Sequence, residues 1–217
     1  MADPLIIPTA TRADRERGLR SATAAARRGE LIVLPTDTVY GVGADAFSAA
    51  GVARLQRAKG RGPGLPLAVL IGSAAVLPGL ARSEVMPAWT ADLVAAFWPG
   101  ALTVIVPVQP SLTWDLGQSD GTVALRMPLH SVALDLLGRV GPMAVSSANR
   151  GGTPPTTCTA AREQLGEGIR VYLDAGQTPG PVPSTVVDLT STPARIVRQG
   201  AIAVADLCAV APALAPQ

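Results

Sequence analysis

Lysine, asparagine and histidine are almost missing from this sequence, and each shortage has a single exception. Seventeen of the 18 basic residues are arginine and the other is Lys59; Asn149 is the only asparagine and His130 the only histidine. One histidine with few other ligands nearby cannot assemble a metal centre, so no protein metal site is expected. Cys158 and Cys208 are too few and too far apart for a disulfide framework or a zinc site, which points to a reduced, cytoplasmic setting. Aromatic residues make up only 3% of the chain, so the core must be built from Val, Leu, Ile and Ala, and no stacking platform for RNA is in sight. No apolar run approaches the roughly 20 residues that span a bilayer. The start, Met1-Ala2-Asp3-Pro4, carries no basic stretch followed by an apolar one, so neither a membrane span nor a signal peptide is expected. The formal net charge of +2 is too small a basic excess to mark a domain that binds nucleic acid by charge.

What is present describes a globular chain. Nearly half of its 217 residues are hydrophobic (48%) and 16% are charged, which argues against disorder. No composition shift marks a linker, so residues 1–208 read as one domain, with a flexible Ala/Pro tail over 209–217. Patterning predicts helices over 11–28 (capped by Thr11, stopped by Gly29), 48–58, 87–98, from His130 to about residue 137, 159–165 and 204–210. Strands are predicted over 31–34, 67–71, 102–108, 122–127, 143–146, 171–174, and a final pair over 184–189 and 195–198. Strands alternate with helices, yet several connections are too short for a helical crossover. The expected fold is α/β: a twisted, open, mixed parallel and antiparallel sheet with flanking helices.

Four polar loops follow strands or helices, at 35–41, 59–64, 146–153 and 180–185, and in open α/β sheets such loops gather at one rim. The first, Pro35-Thr36-Asp37-Thr38-Val39-Tyr40-Gly41, offers three hydroxyls; it is either built to hold a polar ligand or merely caps its own turn. Gly41-Val42-Gly43-Ala44-Asp45-Ala46 matches G-x-G-x-x-A on paper. Its glycines stand well beyond the strand's end and no acidic residue closes the following strand, so a dinucleotide site is rejected. A lone lysine among arginines suggests a place that needs a compact ammonium; codon bias, or a favourable charge after a helix C-terminus, would explain Lys59 and Arg61 as well. In 122–127, Val123, Leu125 and Met127 share one face, which leaves Arg126 either solvated or facing a polar cleft. No Ser-His-Asp spacing and no phosphate-loop motif is present. Lys, Arg, Ser and Asn side chains suit anionic oxygens, so the residues alone point to a phosphorylated or carboxylated small molecule.

Seven motifs stand in a telling order: residues 35–41, Lys59-Gly60-Arg61 followed by Pro66-Leu67, Trp98-Pro99-Gly100 with Leu102-Thr103, Arg126-Met127-Pro128, Ser147-Ala148-Asn149, Ser184-Thr185-Val186-Val187-Asp188, and Arg198-Gln199-Gly200. In this order they resemble the YrdC-like family of threonylcarbamoyl-AMP synthases, and the likeness runs from about Arg15 to Leu207. The resemblance implies a basic concave cavity in the α/β fold. It also implies a reaction joining L-threonine, bicarbonate or CO2, and ATP into L-threonylcarbamoyladenylate plus pyrophosphate, with Mg2+ accompanying ATP. The product feeds threonylcarbamoyladenosine formation at position 37 of tRNA through downstream threonylcarbamoyl-transferase proteins, with tRNA as a further partner.

The family's K-x-R and S-x-N signature falls on Lys59, Arg61, Ser147 and Asn149. Carried over, Lys59 and Arg61 are the implied catalytic pair on the ATP phosphates. Ser147, Asn149, Thr157 and Arg198 are implied nucleotide contacts, and Thr36, Arg126 and Ser184 implied threonine contacts. Two features depart from the pattern: Arg150-Gly151-Gly152 stands where a serine is usual, and Gln199 where a proline follows the arginine. The chain resembles the short form without an added C-terminal domain. The alternatives are a non-catalytic binder of double-stranded RNA or tRNA, and a related carbamoylation activity.

Overall fold

Thr11 starts the first helix as its chemistry suggests: its hydroxyl accepts from the Asp14 amide at 3.1 Å, and Gly29 stands past the end at φ +66°. The computed structural model describes residues 3–60 and 66–214, so Arg61 lies outside the described residues. In chain order the elements are β1 (Leu5–Pro8), α1 (Arg12–Arg27), β2 (Ile32–Leu34), β3 (Gly41–Asp45), α2 (Ala49–Ala58), β4 (Ala68–Leu70), α3 (Leu77–Leu80), α4 (Thr90–Phe97) and β5 (Leu102–Pro107). They continue with β6 (Thr122–Arg126), α5 (Ser131–Val140), β7 (Met143–Ser147), α6 (Cys158–Leu165), β8 (Val171–Asp174), β9 (Thr185–Asp188), β10 (Arg195–Arg198) and α7 (Val204–Val210).

Every expected helix and strand has a counterpart, and two strands were not expected. β1 is a four-residue edge strand ending in proline, too short to show a period. β3 is the glycine-rich stretch that imitates a dinucleotide motif, and it lies inside the sheet. A Cβ on Gly43 would come within 2.8 Å of the Val145 side chain and 2.9 Å of the Ala144 carbonyl, so the glycine lets β3 and β7 approach. Those glycines serve strand packing.

Among the described residues the strands form one sheet in the order β1-β8-β2-β3-β7-β4-β6-β5-β9-β10. Pairing is mixed: β4–β6 and β5–β9 are parallel, whereas β3–β7 and β5–β6 are antiparallel. Alternation along each strand sorts its side chains onto two faces. Val69, Val104, Leu125, Ala144 and Val187 face the larger core, with Leu55 of α2, Leu93 of α4, Ala161 of α6 and Leu207 of α7. On the opposite face, Leu19 and Ala22 of α1 and Val132 and Leu136 of α5 cover Ile32, Leu173, Met143 and Val145. That cover ends near β4, and among the described residues no helix packs on the same face of β6, β5 and β9. Within the segment expected as a tail, Ala211 and Leu214 are buried in the larger core, because the apolar residues after α7 meet a surface that accepts them.

Leu125, fully buried at the centre of β6, tests the larger core. Leu125→Ala is expected to lower unfolding free energy by about 3 kcal/mol, measured by urea titration.

Candidate active site

The uncovered part of the sheet forms the floor of a cavity of about 420 Å³. Its lining follows the strand period: Thr103 and Ile105 come from β5, Ala124 and Arg126 from β6, Ser184 and Val186 from the start of β9. The floor is apolar and small-residue, and the polar groups stand at its edges. A surface cleft of about 630 Å³ elsewhere, lined by Arg28, Arg54 and Glu30, is less suited to a ligand. There Arg28 is paired with Glu30, and Arg54 donates to the carbonyls of Arg28 and Gly29.

Arg126 is the most constrained polar group in the cavity. Its Nε donates to the Gly100 carbonyl at 3.0 Å, Nη1 to Thr38 Oγ1 at 2.9 Å, and Nη2 to Asp37 Oδ1 at 2.6 Å. The guanidinium is nearly out of water, its side chain 8% exposed. Burial pulls its pKa down, Asp37 raises it, and the nearby Arg198 lowers it again. An arginine stays protonated under such a shift, so the cavity holds a fixed cation. Gly100 can deliver its carbonyl because it turns tightly after α4; a Cβ there would meet the Phe97 carbonyl at 2.5 Å.

A second cluster lies on the β9 side. Ser184 Oγ and Thr103 Oγ1 are 2.8 Å apart, and Arg198 donates from Nε and Nη2 to the Ser184 carbonyl and from Nη2 to its hydroxyl. Burial lowers the Arg198 pKa as well. Gly200 lets this strand end lie on the 183–185 backbone, since a Cβ would meet the Pro183 carbonyl at 2.3 Å.

The third cluster joins the two singletons of the composition. Lys59 caps the C-terminus of α2, and its ammonium donates to the Ser147 carbonyl at 2.6 Å, to the Asn149 carbonyl, and to Asn149 Oδ1 at 3.2 Å. Ser147 Oγ donates to the same Oδ1 at 2.6 Å, and Asn149 Nδ2 donates to the carbonyls of Gly151 and Gly152. The S-x-N loop is thus wrapped around the lysine.

Two of the implied contacts, Thr36 and Thr157, make bonds within the protein. Thr36 does not line the cavity. Its hydroxyl donates to the Val39 carbonyl at 2.7 Å and accepts from the Thr38 amide, so it shapes the turn, while Thr38 lines the cavity. Thr157 caps α6 by accepting from the Ala160 amide at 3.2 Å and is not among the cavity's lining residues. Tyr40 is a core residue: its hydroxyl donates to the Gly176 carbonyl and accepts from the Ala175 amide, and burial raises its pKa. Asp37, Thr38, Gly100 and Thr103 stand in the motifs by which the sequence was read, yet nothing in their residue types alone showed that all four converge on Arg126 and Ser184.

The family model Sua5/YciO/YrdC, described as telomere recombination, matches residues 24–200. The chain belongs to the Sua5/YciO/YrdC family. A family member from Mycobacterium leprae (strain TN), named "Putative threonylcarbamoyl-AMP synthase", is 54% identical over 197 residues, 90% of this chain and 89% of that one. The threonylcarbamoyl-AMP synthase of Pyrococcus abyssi (strain GE5 / Orsay) is 37% identical over 191 residues, 87% of this chain and 56% of its own length. The crystal structure of P. abyssi Sua5 complexed with L-threonine superposes with a TM-score of 0.90 at 32% identity, covering 100% of this chain and 63% of that one. This chain therefore spans under two thirds of the P. abyssi protein.

Asn149→Ala removes an acceptor of Lys59 and both donors to the Gly151 and Gly152 carbonyls. The expected result is faster amide exchange confined to residues 147–153, read by hydrogen-exchange mass spectrometry.

Proposed function

We propose that this protein is an L-threonylcarbamoyladenylate synthase, condensing L-threonine, bicarbonate or CO2, and ATP into threonylcarbamoyl-AMP with release of pyrophosphate. The observation that carries the reading is Arg126, a guanidinium fixed at three nitrogens on the wall of an apolar-floored cavity, in a chain so similar to a named threonylcarbamoyl-AMP synthase. Such a group suits a small carboxylate, which takes two parallel N–H bonds.

In this reading the threonine carboxylate lies on Arg126, with the hydroxyls of Thr38, Thr103 and Ser184 around it. The nucleotide lies toward Ser147, Asn149 and Arg198, with Arg61 as a proposed phosphate partner on its place in the K-x-R motif. The threonine amine attacks CO2 in its neutral form, so one proton leaves as the N–C bond forms. A carbamate oxygen then attacks the α-phosphorus of ATP, and the bond to the β-phosphate oxygen breaks to release pyrophosphate. The protein's part is to position two anionic reactants and to stabilise charge on the phosphates.

Lys59 contributes differently from a side chain that reaches into the cavity. Acceptors in the S-x-N loop take bonds from its ammonium, so we assign it the shape and the positive charge of that loop. Mg2+ would accompany the nucleotide: the polar side chains lining the cavity are hydroxyls and guanidiniums, so a hard cation there would ride on triphosphate oxygens. No group of three or more metal-ligating side chains occurs among the described residues, and no helix among them is long and apolar enough to cross a membrane. We place the reaction in the cytoplasm, with the product passed to a threonylcarbamoyl transferase that acts on position 37 of tRNA.

Pyrophosphate release is expected only when threonine, bicarbonate and ATP are all present, and omission of any one abolishes it. A protein that merely binds RNA gives no such signal. Arg126→Ala is expected to raise the threonine KM about 100-fold with a much smaller change for ATP, the scale of a lost charged bond pair. A change in the ATP KM alone would remove Arg126 from carboxylate binding.

A further inference from the structure

We infer that Asp37 is the positioning residue that aims Arg126 into the cavity, acting on substrate only through that guanidinium. The inference rests on the reading that Arg126 holds the threonine carboxylate. Asp37 itself is not part of the cavity lining. One oxygen, Oδ1, accepts from Arg126 Nη2 at 2.6 Å and from the Leu129 amide at 3.0 Å. The second bond matters as much as the first. It anchors the carboxylate to the segment entering α5, so the ion pair cannot rotate as a unit when a ligand pulls on the arginine.

The surroundings make the aim depend on charge as well as shape. Arg126 and Asp37 have side chains only 8% and 14% exposed, so solvent screens their attraction weakly. The other charged group that acts on Arg126 is Arg198, which repels it. Gly100 and Thr38 supply neutral acceptors at Nε and Nη1. Asp37 is, among the described residues, the acidic group that pairs with the buried charge. Among the described residues, three of the five N–H groups of Arg126 have partners, which leaves one on each terminal nitrogen. That is the set a carboxylate takes with its two oxygens. Without Asp37 the guanidinium keeps its neutral bonds to Gly100 and Thr38 but loses the charged one that holds Nη2.

Asp37→Asn keeps the size and an acceptor for the Leu129 amide but removes the charge. It is expected to raise the dissociation constant for L-threonine, measured by calorimetry, about tenfold, the scale of one charge-assisted bond. The threonine KM in the pyrophosphate assay should rise in parallel, with kcat lowered far less and the ATP KM within about twofold. In an Arg126→Gln background the same substitution should add almost nothing, since both act through one contact. Should Asp37→Asn not fold, Asp37→Glu carries the test: charge is kept, the oxygen is carried one methylene further, and threonine binding should weaken with ATP binding held. A folded Asp37→Asn protein that binds threonine as wild type overturns the inference, as does equal weakening of threonine and ATP together with a lower Tm. If Arg126→Gln itself leaves threonine binding intact, the carboxylate reading fails first, and separately.

Discussion

The buried ion pair between Arg126 and Asp37 sets the terms for the rest of the structure. A guanidinium taken out of water is costly unless its charge is offset and its donors are met. Here the offset comes from the 35–41 loop, a carbonyl from the turn after α4, and a hydroxyl from Thr38. Three segments, the 35–41 loop, the turn after α4 and β6 itself, must therefore arrive together. The proline, glycine and small residues at these places make that convergence feasible: Gly100 turns where a side chain would strike Phe97, and Gly200 lies flat on the backbone beside Ser184.

The sheet explains why there is room for a ligand at all. Ten strands offer two faces, and the helices cover one face broadly but only part of the other. α1 and α5 end their cover near β4, and beyond it Thr103 and Ile105 of β5, Ala124 and Arg126 of β6 and Val186 of β9 line the cavity. A cavity whose floor is Ile105, Ala124 and Val186 and whose edges carry arginine and hydroxyls can exclude water beneath a substrate while gripping its charged ends. The same alternation places Leu125 in the core and Arg126 in the cavity, one residue apart.

Much of this was legible in the sequence. Helix boundaries followed Thr11, Ser48 and Gly29, and the alternation of 122–127 separated Arg126 from its apolar neighbours. Lys59 and Asn149 stood out by their rarity, the family resemblance put them in one constellation, and direct bonds join them in space. What the residues could not show was direction. Thr36 and Thr38 have the same chemistry two positions apart, and only the turn decides that one braces the loop and the other faces the cavity. The resemblance implies Thr157 only as a nucleotide contact, and its part in capping α6 emerges from the bond its hydroxyl accepts from the Ala160 amide. β3 was hidden because strand glycines at a close crossing look like loop glycines. The burial of Leu214 depends on a core surface made by distant elements.

The most direct test of the account is the crystal structure of this protein with L-threonine and a non-hydrolysable ATP analogue. The expected result places the threonine carboxylate on the terminal nitrogens of Arg126, with Asp37 still bonded to Arg126 and Leu129, and the nucleotide phosphates toward Ser147 and Arg198. Threonine bound away from Arg126, or Arg126 turned onto the nucleotide with its bond to Asp37 broken, would contradict it.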